Sequence, residues 1–227
     1  MRKLAWILAA AVLTPAFPSA TVAQRGLSIG ARTGLSTARV HGADAEQVDA
    51  RTAFTGGASA SLGLSDRLAL EIDVLYAPKG GTMTGSSFNG TITYRFNYIE
   101  VPVLVRYTVL PRARLRPALV LGIARAVRLN SSSTNASFTG FAYPRQFVFP
   151  KTTDNGLVFG ATVGAPVGRH QVRLDARYTL GLTHLAGTQF TNSGTVNDPN
   201  IDLKNGTLTL TMGYAFNVAP RLFTRAP

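Results

Sequence analysis

The strict alternation of side chains in the second half of residues 94–109 constrains the fold of this chain most strongly. From Ile99 to Val109 every odd position is apolar, while Glu100 and Arg106 fall on even positions. This period of two is that of a β-strand. When the apolar face of such a strand meets lipid, the charges on the other face point into the interior of a barrel. The segment therefore predicts one strand of a transmembrane β-barrel.

The lengths of the later apolar runs exclude membrane-spanning helices. Such a helix needs about 20 mostly apolar residues. The longest run beyond the N-terminal segment, residues 117–124, is less than half as long. A barrel strand needs only about 9 to 11 residues, and half of these can be polar. Strands are therefore the remaining way for this chain to cross a membrane.

The same alternation recurs along the chain. The eight predicted strands are residues 27–36, 54–64, 68–77, 94–109, 115–127, 157–167, 171–182 and 205–216. Their connections alternate between long and short, as in outer-membrane barrels with long surface loops and short periplasmic turns. We therefore predict an all-β fold, an eight-stranded antiparallel up-and-down transmembrane β-barrel with both termini in the periplasm.

The aromatic residues that would face outward collect at two levels of this barrel. The outer level contains Phe54, Tyr76, Tyr94, Phe96, Tyr98 and Phe159, and the periplasmic level contains Tyr107, Tyr214 and Phe216. Two aromatic girdles mark the two membrane interfaces. A soluble β-sandwich has no reason to produce them, so they favour the membrane barrel.

The fourth strand contains an apparent change of phase. Tyr94, Phe96 and Tyr98 occupy even positions, whereas the apolar residues from Ile99 onward occupy odd ones. A β-bulge near Tyr98 and Ile99 would absorb the extra residue. Pro102 has no N–H to donate and should interrupt the hydrogen-bond ladder locally.

The N-terminus has the three parts of a secretory signal peptide. Met1 to Lys3 is basic, residues 4–13 are apolar, and small residues follow up to Ala23. We place the cleavage after Ala23, with Ala20 as the alternative. The predicted organisation is a signal peptide (1–23), an outer-membrane barrel (24–216) and a short tail (217–227). The chain would then reside in the outer membrane of a Gram-negative bacterium.

The charge and the cysteine count narrow the partners. The formal net charge is +12 and the chain has no cysteine, so disulfides and thiolate metal sites are excluded. We expect no nucleic-acid partner because the chain is exported and its arginines are scattered. Outer-membrane lipid and anionic lipopolysaccharide suit a basic envelope protein better. Arg125 and Arg128 could pair with lipopolysaccharide phosphates or simply extend toward the membrane surface.

The charged residues on the inward faces are expected to form a connected ion network with an excess of arginine. They are Arg32, Glu71, Asp73, Arg95, Glu100, Arg106, Arg116, Arg173, Asp175 and Arg177. The network could line an anion-selective path or fill the interior with ion pairs. Side chains just fill the interior of an eight-stranded barrel, so the second interpretation is favoured and predicts little or no conductance.

The longest connection, residues 128–156, is the strongest candidate for contact with a surface ligand or protein partner, because function is often carried by loops on a rigid scaffold. The alternative is that its segments extend the fifth and sixth strands above the membrane. Its aromatic residues are Phe138, Phe141, Tyr143, Phe147 and Phe149. We expect the barrel itself to be a monomer.

Catalytic candidates are few. An enzyme needs a base within hydrogen-bond reach of a nucleophile, and the histidines are His41, His170 and His184. Only His184, at the outer end of the seventh strand, is placed where a lipid A modifying enzyme would need it. Asp198 and Asp202 are too sparse for a calcium site. The prediction is a protein that is not an enzyme and uses no metal or cofactor.

Four segments resemble the PorT-like outer-membrane β-barrel family, whose members are often labelled porin-like. They are YIEVPVLVRY (98–107), DNGLVFGATVG (154–164), VRLDARYTLGL (172–182) and LTLTMGYAF (208–216). The resemblance implies an integral outer-membrane protein. The tail is a departure, since such barrels usually end on an aromatic residue. It leaves open whether the assembly machinery reads Phe216 or Phe223.

Overall fold

A computed structural model describes most of the region predicted to form the barrel. The described residues are 26–42, 48–85, 90–135, 146–148, 151–184, 188–191, 194–197 and 203–219. The predicted signal peptide, residues 1–23, and residues 220–227 of the predicted tail lie outside them.

The described residues form only strands and connections. The strands are β1 (Gly26–His41), β2 (Val48–Gly63), β3 (Leu68–Gly85), β4 (Gly90–Thr108), β5 (Arg116–Asn135), β6 (Gln146–Val148), β7 (Thr153–Val167), β8 (His170–Gly181), β9 (Thr188–Thr191), β10 (Gly194–Asn197) and β11 (Lys204–Ala219). Eight of them close into one antiparallel barrel in the order β1-β11-β8-β7-β5-β4-β3-β2. This is the predicted fold class.

The predicted strands match the structure well at the end with the short turns, which was predicted to face the periplasm and is called the periplasmic end. They fall short at the opposite end, called the outer end. Strand β3 begins at Leu68, as predicted, but continues from Ala77 to Gly85, and β5 continues to Asn135. The cause is physical: lipid enforces alternation only inside the membrane, whereas backbone pairing can continue above it. Residues assigned to loops, Lys79 among them, therefore belong to barrel strands.

The longest connection and the last one meet in a small second sheet. Its order is β10-β9-β6, and Phe147 of β6 pairs with Gln189 of β9. The segment around Phe147 therefore joins the last connection and does not extend a barrel strand. The side chain of Phe147 lies outside the described part of the structure. The other aromatic residues of this connection also lie outside it: Phe138, Phe141, Tyr143 and Phe149.

The predicted change of phase in β4 is wrong. Phe96 and Tyr98 are only 3% and 1% exposed and point inward, on the same face as Glu100. The extra residue lies on the neighbouring strand: Tyr98 pairs with Arg128, but Asn97 pairs with Asn130. A bulge does occur at the predicted level, but β5 absorbs it.

Pro102 interrupts the β3–β4 ladder, as expected. The pairing passes from Ile72 with Val103 directly to Leu75 with Glu100. The two missing pairs are those that would involve Pro102 and Val101. A proline inside a closed sheet leaves its neighbour's carbonyl without a donor, so the break follows from its chemistry.

The outer face of the barrel is apolar and ringed by aromatic residues. Leu121, Ile123 and Leu174 are among its exposed aliphatic residues. Phe54, Tyr76 and Phe159 are exposed near the outer end, and Tyr107, Tyr214 and Phe216 near the periplasmic end. The outer girdle thus lacks Phe96 and Tyr98, which point inward. Partly buried Tyr94 packs with Phe96. In the described part of the chain, no helix has the length and apolarity that crossing a membrane requires.

Candidate functional site

The barrel lumen contains most of the predicted site residues, stacked in layers. Strand β3 shows the order, because Glu71, Asp73, Leu75, Ala77 and Lys79 are its successive inward residues from the periplasmic to the outer end. All five are buried. A charged layer, an apolar layer and a second charged layer therefore follow one another along the lumen.

The charged layer nearer the periplasmic end, called the inner charged layer, is centred on Glu71. Arg32 donates a hydrogen bond to its Oε1 at 2.6 Å. Arg173 donates to Oε2, and Arg177 to Oε1, both at 2.5 Å. Nε of Arg106 lies 3.7 Å from Oε2. Four guanidinium groups from three other parts of the barrel thus converge on one buried carboxylate.

Two aspartates complete this inner layer. Asp73 lies 2.7 Å from a guanidinium nitrogen of Arg177 and 3.2 Å from one of Arg32. Asp175 lies 3.0 Å from Arg177 and 3.6 Å from Arg32. Because Arg32 and Arg177 each contact all three carboxylates, the layer is one connected network. Breaking a buried ion pair by removing one partner typically costs about 3–5 kcal/mol.

Arg116 stands apart from this network. It is buried at the periplasmic end of β5, where it pairs in register with Gly164. Among the described residues, no ion pair links its guanidinium group to a carboxylate. The structure therefore leaves Arg116 on the periplasmic side of the network. The predicted residues that it brings together are Arg32, Glu71, Asp73, Arg106, Arg173, Asp175 and Arg177.

An apolar layer separates the inner network from the outer part of the lumen. Leu104, Ala124 and Val158 form a buried cluster there, and Leu75 on β3 lies at the same level by its position in the strand. Such a layer strengthens nearby ion pairs by excluding water.

The outer charged layer is centred on Lys79. Its Nζ lies 2.7 Å from Glu100 and 3.1 Å from Asp154. Asn205 Nδ2 donates to the same Asp154 oxygen at 2.9 Å. The Lys79 ammonium also lies 5.3 Å from the centre of the Tyr98 ring, which is within cation–π range. Glu100 is therefore paired with a lysine and not with the arginine network.

Sequence reasoning missed Lys79 and Asp154 because both were assigned to connections. A signal was present in each case. Lys79 continues the odd-numbered inward phase of Glu71 and Asp73, and Asp154 continues the even-numbered inward phase of Thr162. Extending each strand in phase beyond the outer girdle would have placed both in the lumen.

An apolar cluster lies next to the Lys79 layer at the outer end. Ala77, Phe96, Tyr98 and Ala126 are buried against one another. The rings of Tyr94 and Phe96 stack at 6.4 Å, and the guanidinium of Arg128 lies 5.8 Å from the Phe96 ring centre. The misassigned aromatic residues Phe96 and Tyr98 thus pack inside the barrel near its outer end.

The buried lumen charges nearly balance. The described buried residues comprise six basic side chains (Arg32, Lys79, Arg106, Arg116, Arg173 and Arg177) and five acidic ones (Glu71, Asp73, Glu100, Asp154 and Asp175). The expected excess of two positive charges falls to one because Asp154 joins the interior, while Lys79 takes the place of Arg95, which is exposed. Opposite charges in direct contact neutralise one another. This arrangement favours packing of the interior over selective passage of ions of one sign.

The remaining predicted residues that the structure describes lie outside the lumen. Arg125 is exposed on the outer face of β5, and Arg128 is partly buried against Phe96. His184 is exposed at the outer end after β8. His170 packs at the periplasmic rim with its ring centre 5.4 Å from that of Tyr214. Within the described ranges, no group of three or more His, Asp or Glu side chains is arranged to hold a metal ion.

A closed antiparallel barrel with an aliphatic exterior, aromatic girdles and an ionised interior is an integral outer-membrane β-barrel. The sequence comparisons agree with this class. The family model described as outer membrane protein beta-barrel domain matches residues 18–187. The chain belongs to that family. A comparison with curated proteins finds no match.

Solved structures with a similar fold include outer-membrane proteins of several bacteria. OprG from Pseudomonas aeruginosa is 11% identical, with a TM-score of 0.48, covering 87% of this chain and 99% of that chain. Ail from Yersinia pestis is 17% identical, with a TM-score of 0.39, covering 85% and 99%. The outer membrane protease OmpT from Escherichia coli is 10% identical, with a TM-score of 0.44, covering 85% and 97%.

Proposed function

We propose that the protein is a closed outer-membrane barrel with a structural and surface-interaction role, and that it is neither a pore nor an enzyme. The observation that carries the proposal is the filled lumen. Glu71 on β3 and Arg177 on β8 meet in its centre, and the Lys79 layer lies outward of them. A barrel filled in this way anchors a surface in the membrane without opening a path through it.

The surface in question is formed by the outer parts of the strands and by the connections above them. Strand β6 of the longest connection pairs with β9 of the last one. This pairing supports one ordered surface and not two independent loops. Loops held on a rigid scaffold are common sites of binding. Contact through Phe138, Phe141, Tyr143, Phe147 and Phe149 stays a prediction, as does the partner's identity.

Conductance in planar bilayers tests the closed lumen. We expect no steady current from the folded wild-type protein. The variant Lys79→Ala should also stay closed, because the Glu71 network remains. A variant that removes both layers, with Glu71→Ala, Arg177→Ala and Lys79→Ala together, is the positive control for a leaky lumen. A large, stable pore formed by the wild-type protein would overturn the proposal in favour of the alternative, a narrow channel for small solutes or lipids.

Replacement of residues 136–150 by a Gly–Ser linker tests the surface role. A matched control replaces the short connection at residues 86–89 in the same way. Both variants should remain heat-modifiable on gels, since neither alters a barrel strand. We expect only the first to reduce cell aggregation or adherence to polystyrene when the protein is displayed on cells. Equal adherence of all three proteins would contradict the surface role of the longest connection.

The enzyme alternative depends on His184, whose position at the outer end suits work on lipid A. We propose that it has no catalytic part. Cells expressing His184→Ala should contain the same lipid A species by mass spectrometry as cells expressing the wild-type protein. A lost acyl or phosphate modification would assign catalysis to this residue.

Closer kinship with PorT-like proteins is likewise part of the proposal, and it rests on the four segment motifs.

A further inference from the structure

Arg116 is a buried cation without a partner. It is the first residue of β5 and is only 9% exposed. Its Nε is shielded from solvent and makes no hydrogen bond, and no other described residue bonds to its guanidinium group. Burying a charge is costly unless the charge is paired and hydrogen-bonded. Arg116 therefore needs a counter-ion.

The carboxylates of the lumen are engaged by other cations. Glu71 is shared by four other arginines, and both aspartates of the inner layer contact Arg177. The two carboxylates of the outer layer contact Lys79. On β3, the next inward residue from Glu71 toward the periplasmic end is Ala69. Of the six basic and five acidic side chains buried in the described lumen, Arg116 is the basic one that remains unpaired.

A second hydrogen-bond donor lies beside Arg116. The partner of Arg116 in register is Gly164 on β7. A Cβ added at Gly164 would lie only 2.8 Å from Nε2 of Gln171 on β8. Because Gly164 has no side chain, the partly buried amide of Gln171 can lie over β7 on the side toward β5. This amide makes no hydrogen bond to another described residue, so two free donor groups flank one glycine.

The short turns at the same end add positive charge around this position. These turns are residues 64–67, 109–115 and 168–169. Their only acidic residue is Asp66, whereas four arginines in them are exposed: Arg67, Arg112, Arg114 and Arg169. A cluster of like charges raises the local concentration of ions of opposite sign. Anions in the periplasm are therefore attracted to the end of the barrel at which Arg116 lies.

We propose that Arg116 and Gln171 bind a small oxyanion, of the inorganic phosphate type, at the periplasmic end of the lumen. A guanidinium group binds an oxyanion with two parallel charge-assisted hydrogen bonds, and the amide of Gln171 donates one more. Because Arg116 faces the lumen, a free ion can reach it, whereas the headgroup of a membrane lipid lies outside the barrel wall. The site is independent of the surface role of the loops.

Isothermal titration calorimetry of the folded full-length protein in detergent tests the site. Sodium phosphate is the probe, at an ionic strength held constant with sodium chloride. The test variant is Arg116→Met, which keeps a long side chain and removes its charge. The matched control is Arg112→Met, which removes an exposed arginine from the turn before β5. Heat-modified gel mobility establishes that each variant is folded, and Arg116→Lys replaces the methionine variant if that variant fails this check.

We expect the wild-type protein and Arg112→Met to bind phosphate alike, and Arg116→Met to bind it at least about tenfold more weakly, because the charge-assisted hydrogen bonds are lost. Arg116→Lys should also bind more weakly, since an ammonium group cannot make two parallel bonds. Equal losses in Arg112→Met and Arg116→Met would reduce the effect to the charge of the turns and overturn the site. The absence of phosphate binding by the wild-type protein would overturn it as well.

Urea unfolding without phosphate separates a binding arginine from a structural one. Arg116→Met should then unfold at a higher urea concentration than the wild-type protein, because it buries no unpaired charge. A lower midpoint would mean that Arg116 has a structural partner and would overturn the proposal. A second titration in micelles containing phosphatidylglycerol identifies the source of the anion. Unchanged phosphate affinity is expected, and loss of phosphate binding there would assign the site to a lipid headgroup and overturn the free ion.

Discussion

Arg177 and Glu71 face each other across the whole lumen, with Arg177 Nη2 2.5 Å from Glu71 Oε1. They are 106 positions apart in the chain, and their strands β8 and β3 are four places apart in either direction around the barrel. One ion pair therefore connects opposite walls. This contact supports the proposal that the lumen is closed.

Replacing Glu71 should destabilise the barrel more than replacing any other lumen carboxylate. Glu71→Gln leaves Arg32, Arg173 and Arg177 without their shared partner, so we expect the free energy of unfolding to fall by about 3–5 kcal/mol. Urea titration in detergent, followed by circular dichroism, measures it. Glu100→Gln is the comparison, because Lys79 keeps its contact with Asp154. Equal losses for the two variants would contradict a network centred on Glu71.

The Lys79 layer should behave as a coupled unit. Lys79→Met leaves Glu100 and Asp154 buried without their cation, which should cost about 3–5 kcal/mol of unfolding free energy. Adding Glu100→Gln and Asp154→Asn removes the orphaned charges, so the triple variant should recover much of that loss. The same urea titration measures both variants. Simple additivity of the three substitutions would show that the contacts are not energetically coupled.

The orientation of β4 near its outer end can be read by chemical labelling. The chain has no cysteine, so a single introduced thiol reports its own surroundings. With a membrane-impermeant maleimide, Arg95→Cys should react rapidly in the folded protein, whereas Phe96→Cys and Tyr98→Cys should be protected. After unfolding, all three should react alike. Rapid labelling of Tyr98→Cys in the folded barrel would restore the outward phase predicted from the sequence.

Gly122 marks a place where neighbouring strands approach too closely for a side chain. A Cβ there would overlap the backbone carbonyl of Val103 and also meet Leu104. Gly122→Ala should therefore lower the unfolding free energy by about 1–3 kcal/mol, as overpacking does in tight interiors. Gly168→Ala is not a suitable control because its φ is 60°. Ala118→Gly, at a buried position on the same strand, should change the same quantity less.

Much of the candidate site was visible in the sequence. Two strands show inward charges at alternate positions: Glu71 and Asp73 on one, and Arg173, Asp175 and Arg177 on the other. What alternation could not show is which charges meet. That depends on how far each strand is staggered against the next around the closed barrel, and stagger is a property of the whole sheet.

The aromatic run at 94, 96 and 98 shows the limit of local pattern. Aromatic residues on one face of a membrane strand suggest a girdle, yet Phe96 and Tyr98 are inside because β4 keeps its phase and Leu129 on β5 takes the extra position. The neighbouring strand, and not β4 itself, carries the irregularity. No reading of β4 alone could have found it.

By itself, the sequence determined that this chain crosses the membrane with eight strands, which residues of most strands face lipid, and where the short turns lie. These follow from the period of two and from the demands of lipid on each strand separately. Only the tertiary structure decided the partners of Glu71 and Lys79 and the inward orientation of Phe96 and Tyr98. Each of these depends on register between strands distant in sequence, which closure of the barrel sets and no local pattern encodes.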